Sequence, residues 1–217
     1  MQSRTRLLVN ISLLSAMAFV LMVVGRIPLV LFLKYDPKDV VILIGGFIYG
    51  PMSAFVISLV VSFVEMITVS DTAWIGFGMN VLSTCAFVCT ASFIYKKKLN
   101  LTGAVVGLVA GGVLTVAAML LWNYLVTPIY MNMPRDAVVP LLWSAFLPFN
   151  ALKVSINGAI TMLVYKPIVR ALRRANLIPP SSDGAHGSSR RPVGAMLAAA
   201  LVLVSCILYA MVRNGVF

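Results

Sequence analysis

The stretch 147–157, Leu-Pro-Phe-Asn-Ala-Leu-Lys-Val-Ser-Ile-Asn, lies within an apolar run of about 141–164. Asn150, Lys153 and Asn157 follow one another at i, i+3 and i+7, so a helix presents all three on one face. In a membrane helix the lysine alone costs roughly 2.5–3.5 kcal/mol at mid-depth. Such a face needs polar side chains from neighbouring helices, or a polar ligand. Amides donate and accept, whereas an ammonium only donates. The set suits the edge of a heterocycle that carries carbonyl and N–H groups. Asn80 and Asn123 are further amides within apolar runs. For Asn80 a helix–helix hydrogen bond explains the residue as well as ligand contact does. For Lys153 the structural alternative is an ion pair with Glu65 or a helix C-terminus. Asn157, one turn further along, reads as structural. Glu65 could act as a base, but the sequence displays no partner for it.

Other chemistry is poorly served. No paired carboxylates occur within a span, and HExxH, GxSxG and Walker A patterns are absent. No enzymatic role is expected, and the chain cannot use ATP by itself. Cys85, Cys89 and Cys206 lie in apolar runs and read as packing residues. The single histidine, His186, sits in a polar linker, so no metal site and no bound cofactor are expected. Two alternatives belong to other classes. A non-catalytic membrane scaffold would not need polar residues gathered in one half of its spans. A helical membrane enzyme would need catalytic pairs.

The elements that position these residues follow from composition and periodicity. Of 217 residues, 61% are hydrophobic and 11% charged, and mean hydropathy is +1.01. A soluble domain carries about 25% charged residues. The long unbroken apolar runs indicate an all-α integral membrane protein rather than a β-barrel. Expected helices cover about 7–24, 40–49, 52–69, 73–95, 101–126 and 141–172. The first reads as a transmembrane helix, not a cleaved signal peptide. The segment 29–39 is too short and broken to span; it reads as a loop with apolar Leu31, Phe32, Leu33 and Tyr35. Asp36 or Asp39 is placed to cap the next helix. Gly50-Pro51 marks a sharp break, Ser70-Asp71-Thr72 a turn, and Thr127-Pro128 the end of the fifth helix. The segment 131–140, with Arg135 and Asp136, reads as a loop. Gly103, Gly107 and Gly111 form overlapping GxxxG patterns suited to close packing inside the protein. Residues 1–175 thus form a six-helix membrane domain and 176–192 a polar linker. Residues 193–217 form an appended transmembrane helix with no evident chemistry.

Charge sets the orientation. With the N-terminus cytoplasmic, Arg4, Arg6, Lys96, Lys97, Lys98, Lys166, Arg170, Arg173, Arg174, Arg190 and Arg191 fall inside. Arg26, Lys34, Lys38, Arg135 and Arg213 fall outside. This bias satisfies the positive-inside rule. The net charge of +11 therefore reflects topology, and no nucleic-acid partner is expected. Asn80, Asn123, Asn150 and Lys153 then converge on the outer half, near the loop 29–39.

Several ordered motifs carry a resemblance. Leu33-Lys-Tyr-Asp-Pro-Lys-Asp39 with Ile44-Gly-Gly-Phe-Ile-Tyr-Gly-Pro51 resembles the first loop and second helix of the riboflavin-specific substrate-binding subunits of energy-coupling-factor (ECF) transporters. So do Asn123-Tyr-Leu-Val-Thr-Pro-Ile-Tyr130, Leu147-Pro-Phe-Asn-Ala-Leu-Lys153 and Tyr165-Lys-Pro167. The resemblance spans about 5–175. It implies a six-helix subunit in the bacterial cytoplasmic membrane that captures riboflavin outside. Such a subunit works with a transmembrane coupling subunit and two cytoplasmic ATPases, and topples in the bilayer to deliver its vitamin. It implies that Asn123, Asn150 and Lys153 bind the polar edge of the ring, and that Lys34, Tyr35 and Asp36 belong to the loop that closes the site. The family's Ala-x-x-x-Ala for docking the coupling subunit has Ser12-x-x-x-Ala16 as its nearest counterpart here, and the seventh helix lies outside the family pattern. FMN, or another vitamin, is the alternative ligand; Arg26, Lys34 or Lys38 could meet a phosphate.

Overall fold

The computed structural model describes residues 4–30, 33–70, 72–174, 199–202 and 204–206. In chain order the elements are α1 (Arg4–Gly25), strands β1 (Ile27–Val30) and β2 (Leu33–Tyr35), α2 (Lys38–Tyr49) and α3 (Pro51–Thr68). Then come α4 (Ala73–Thr84), a π-helical turn (Cys85–Cys89), α5 (Thr90–Lys98) and α6 (Leu101–Met131). Last are α7 (Arg135–Leu141), a second π-helical turn (Leu142–Phe146) and α8 (Leu147–Arg174). Through the π turns, α4 continues into α5 and α7 into α8, each making one long rod. Five rods are long and apolar enough to cross a membrane: Arg4–Gly25, Pro51–Thr68, Ala73–Lys98, Leu101–Met131 and Arg135–Tyr165. The sixth, α2, has 12 residues and is about 18 Å long, against a hydrocarbon core of about 30 Å.

That short helix is the centre of the molecule. Every residue from Lys38 to Phe47 is buried, as its sequence, apolar on all sides after Asp39, requires. Gly46 approaches so closely that a Cβ there would lie 2.1 Å from Ser92 Oγ. Gly50, at φ 96°, turns the chain, and Pro51 starts α3 at a position where its missing N–H costs nothing. The GxxxG face of α6 packs inward, as its spacing implied. A Cβ on Gly107 would lie 2.7 Å from the Ala91 carbonyl, and one on Gly111 2.5 Å from that of Phe87. One apolar cluster joins Leu14, Ile42, Ile57, Val61, Phe87, Val88 and Leu108. A second, made of Leu33, Val138, Phe146 and Phe149 with Leu29, Met79 and Leu120 against it, lies below the hairpin.

Several local expectations change. The segment 29–39 is an antiparallel hairpin in part, with Ile27 opposite Tyr35 and Pro28 opposite Lys34. Neither Asp36 nor Asp39 caps α2: Pro37 holds the N-cap position without a side-chain bond, because both carboxylates face cations and polar groups inside the protein. Thr127-Pro128 does not end the fifth expected helix: α6 runs to Met131 with Pro128 inside it. Residues 135–140 are helical, not a loop. The second π turn sits between Pro140 and Pro148. Pro148 has no N–H for the carbonyl four residues earlier, which loosens the regular ladder there. Leu31, Phe32, Asp71, the linker with His186, Arg190 and Arg191, and Arg213 lie outside the described residues. Of the expected seventh span, 199–202 and 204–206 are described, and they are helical.

Candidate functional site

The hairpin end of the bundle gathers the charges that the spans carry. Asp39, in the first turn of α2, is buried (2% exposed). Its carboxylate accepts from Thr84 Oγ1 at 2.8 Å and from Asn157 Nδ2 at 3.3 Å. Lys153 Nζ lies 3.7 Å from the same carboxylate. The partner of Lys153 is therefore Asp39 and not Glu65. Asn157 also accepts from the Tyr35 hydroxyl at 2.9 Å, so it ties the hairpin to α8, in keeping with its structural reading. Burial, followed by the Asp39 and Asp36 carboxylates, pushes the Tyr35 phenol up from its ordinary value, so it stays a neutral donor.

Glu65, which lacked a visible partner in the sequence, has two. Lys38 Nζ donates to its Oε2 at 2.5 Å, and Arg26 pairs with its Oε1. Lys38 is fully buried and also lies 3.8 Å from Asp36 Oδ2. Burial alone would raise the Asp36 carboxyl. Lys38, then Lys153 and Arg26, outweigh that and hold it below the ordinary carboxylate value.

A cavity of about 160 Å³ opens beside this network, lined by Arg26, Lys34, Asp36, Glu65, Ser70, Thr72, Met79, Asn80 and Tyr130. Of the residues singled out in the sequence, Lys34, Asp36 and Asn80 are on its wall. Tyr35 and Lys153 are not; they meet in the Asp39–Asn157 network. Asn123 and Asn150 are buried, at 1% and 2% exposed, and lie off the cavity wall. Each donates to its own helix: Asn123 Nδ2 to the Met119 carbonyl at 2.7 Å, Asn150 Nδ2 to the Phe146 carbonyl at 2.8 Å. Thr127 Oγ1 donates to Asn123 Oδ1 at 3.0 Å. A side-chain amide has two donor hydrogens and an acceptor, and back-bonding to the preceding turn takes one donor. Arg26, Glu65 and Asp39 are site residues that spacing did not pick out as such. Their signal was present as ionisable groups at or within spans, which are costly unless paired or functional.

A bundle of membrane-length helices around a short buried second helix, with a hairpin over a buried polar cluster, is an arrangement suited to holding a small molecule. The family model described as "ECF transporter, substrate-specific component" matches residues 6–165, and the chain belongs to that family. A solved structure described as the S component of a bacterial ECF transporter superposes with a TM-score of 0.68 at 27% identity, covering 79% of this chain and all of that one. The riboflavin transporter RibU of Staphylococcus aureus (strain TCH60) is 29% identical over 184 residues, 80% of this chain and 95% of that protein. The riboflavin transporter FmnP of Bacillus subtilis (strain 168) is 28% identical over 188 residues, covering 80% and 99%.

Proposed function

We propose that this subunit captures riboflavin at the hairpin end of the bundle, that Asn123, Asn150 and Lys153 bind the polar edge of the ring with Asn80 as a further ligand contact, and that Lys34, Tyr35 and Asp36 belong to the loop that closes the site. The observation that carries the reading is the layering beneath the hairpin. An apolar layer of Leu33, Val138, Phe146 and Phe149 shares its elements with buried amides and an ammonium. Flat heterocycle sites need that combination of apolar walls with few placed polar groups. The cavity of about 160 Å³ is smaller than the roughly 300–1,000 Å³ typical of ligand pockets. Entry of the ring therefore requires the hairpin to lift Leu33 off Phe146 and Phe149. The names of the relatives supply the ligand; the site supplies its polar edge and flat shape.

The same reading places the N-terminus in the cytoplasm of a bacterium and the hairpin outside. Arg4 and Arg6, at the start of α1, and Lys96, Lys97 and Lys98, at the end of α5, lie at the helix ends remote from the hairpin, in line with the positive-inside rule. Partners are a transmembrane coupling subunit and two ATPases. Ser12 and Ala16 lie exposed on α1 beside Leu13 and Val20, a small-residue face suited to close helix docking. The decisive experiment is a fluorescence titration of the purified protein with riboflavin, FMN and thiamine side by side. Saturable quenching of riboflavin is expected. Unchanged riboflavin fluorescence at micromolar protein refutes the ligand assignment.

A further inference from the structure

Cys85 and Cys89 are the first and last residues of the π-helical turn that joins α4 to α5. In a regular helix, positions i and i+4 are separated by about 6 Å along the axis. The wider i→i+5 ladder of a π turn rises less per residue and draws the two positions closer. Both thiols face α3. Cys85 Sγ donates to Ser58 Oγ at 3.7 Å, and Cys89 Sγ donates to the Pro51 carbonyl at 3.7 Å. The two thiols are also within hydrogen-bonding reach of each other. Both are free and half-buried, whereas Phe87 and Val88 between them are sealed in the core. Packing accounts for one apolar thiol at a time. Two thiols in contact on one face of a π turn also make a chelate.

What the pair can hold follows from its number and its depth. Among the described residues, no group of three or more His, Cys, Asp or Glu is placed to hold a metal ion, so the four ligands of a structural zinc are not at hand. The occupant must be satisfied by two sulfurs. The turn lies near the middle of the membrane-length rod Ala73–Lys98. A hydrated cation would have to shed its water to reach that depth, at high cost. A neutral, lipid-soluble thiophile reaches it through the acyl chains. Thiols are weak donors, so the contacts with Ser58 and Pro51 are given up at little cost.

We infer that Cys85 and Cys89 form a dithiol site for an uncharged, lipid-soluble centre that binds two sulfurs, the chemistry of trivalent organoarsenicals. With an arsenoxide, the arsenic–oxygen double bond breaks and two arsenic–sulfur bonds form. Both thiol protons leave with the oxygen as one water, and neither arsenic nor sulfur changes oxidation state. The second sulfur binds intramolecularly, at a high effective concentration, which is what a single thiol such as Cys206 lacks. The site is independent of the flavin reading.

The test treats the full-length protein in detergent, reduced and then freed of reductant, with phenylarsine oxide and reads the intact mass. One phenylarsenic group per chain is expected. It should survive excess 2-mercaptoethanol and be stripped by 2,3-dimercaptopropanol. Alkylation with N-ethylmaleimide should then find one open thiol per treated chain instead of three. Cys206→Ser should keep the adduct, and Cys85→Ser and Cys89→Ser should each lose it, with Cys85→Ala and Cys89→Ala replacing any serine variant that does not fold. No adduct on the wild type, an adduct stripped equally well by the monothiol, or one that persists without Cys85 or without Cys89 overturns the inference. The mass and alkylation readings on the wild type decide it even if no variant folds.

Discussion

Replacing Lys153 with alanine separates two things that the residue does. Its ammonium stands 3.7 Å from the Asp39 carboxylate, and both side chains are buried. At that distance, with an effective dielectric constant of about 20, the attraction is about 4.5 kcal/mol. Desolvation offsets much of this in the intact pair. Removing one ion leaves the other buried alone, which typically costs about 3–5 kcal/mol. Asp39 would keep its bonds from Thr84 and Asn157, each contributing roughly 1 kcal/mol, so the lower end applies: a loss of about 3 kcal/mol. Thermal unfolding in detergent should show a clear drop for Lys153→Ala. Most of it should return in Lys153→Met combined with Asp39→Asn, where no charge is stranded. Riboflavin affinity should behave differently. Loss of a charge-assisted hydrogen bond, about 1.5–3 kcal/mol, weakens binding about 10- to 150-fold, and the second substitution does not restore it. A folded Lys153→Ala protein with wild-type affinity refutes the ligand role and makes Lys153 a purely structural ion. A single mutant as stable as the wild type refutes the buried-pair account.

Two perturbations test the remaining framework. Gly111→Ala puts a methyl 2.5 Å from the Phe87 carbonyl and should lower stability by about 1–3 kcal/mol, whereas Gly158→Ala, whose nearest neighbour would lie at 4.0 Å, should be neutral or slightly stabilising; thermal unfolding of both distinguishes packing from propensity. Truncation after Ser181 should leave riboflavin titration unchanged, which places the binding unit within residues 1–181; a lost signal would bring the final segment into the site.

The long helices were legible because each carries its own evidence. Apolar length, Gly50-Pro51 and the glycine spacing of α6 are local facts, and the element starts expected at Met52, Ala73 and Leu101 lie within a residue of the observed Pro51, Ala73 and Leu101. The site was legible by inventory, not by pairing. Lys153, Asn157 and Glu65 each announce a need for company, but a periodic pattern cannot say whose. The companions are far along the chain: Asn157 meets Asp39 across 118 residues and Tyr35 across 122. Glu65 meets Arg26 across 39. Asp39 read locally as a helix cap because a carboxylate just before an apolar run fits that role. Only the packing of α4 and α8 around α2 turns it inward. The hairpin escaped notice for a related reason. Its strands have four and three residues, too few to show an alternating pattern, and one contains proline.

Seven ions gather at the hairpin end, Arg26, Lys34, Lys38 and Lys153 against Asp36, Asp39 and Glu65, a net of one positive charge. An electric field across the bilayer does work of about 2.3 kcal/mol per 100 mV on each net charge that crosses it. On three pairs of these ions the work cancels, and one charge is left to feel the field. A pocket carried inward with an uncharged passenger would move that charge in the direction a negative-inside potential favours. Delivery by such a subunit should then slow modestly in depolarised vesicles supplied with ATP.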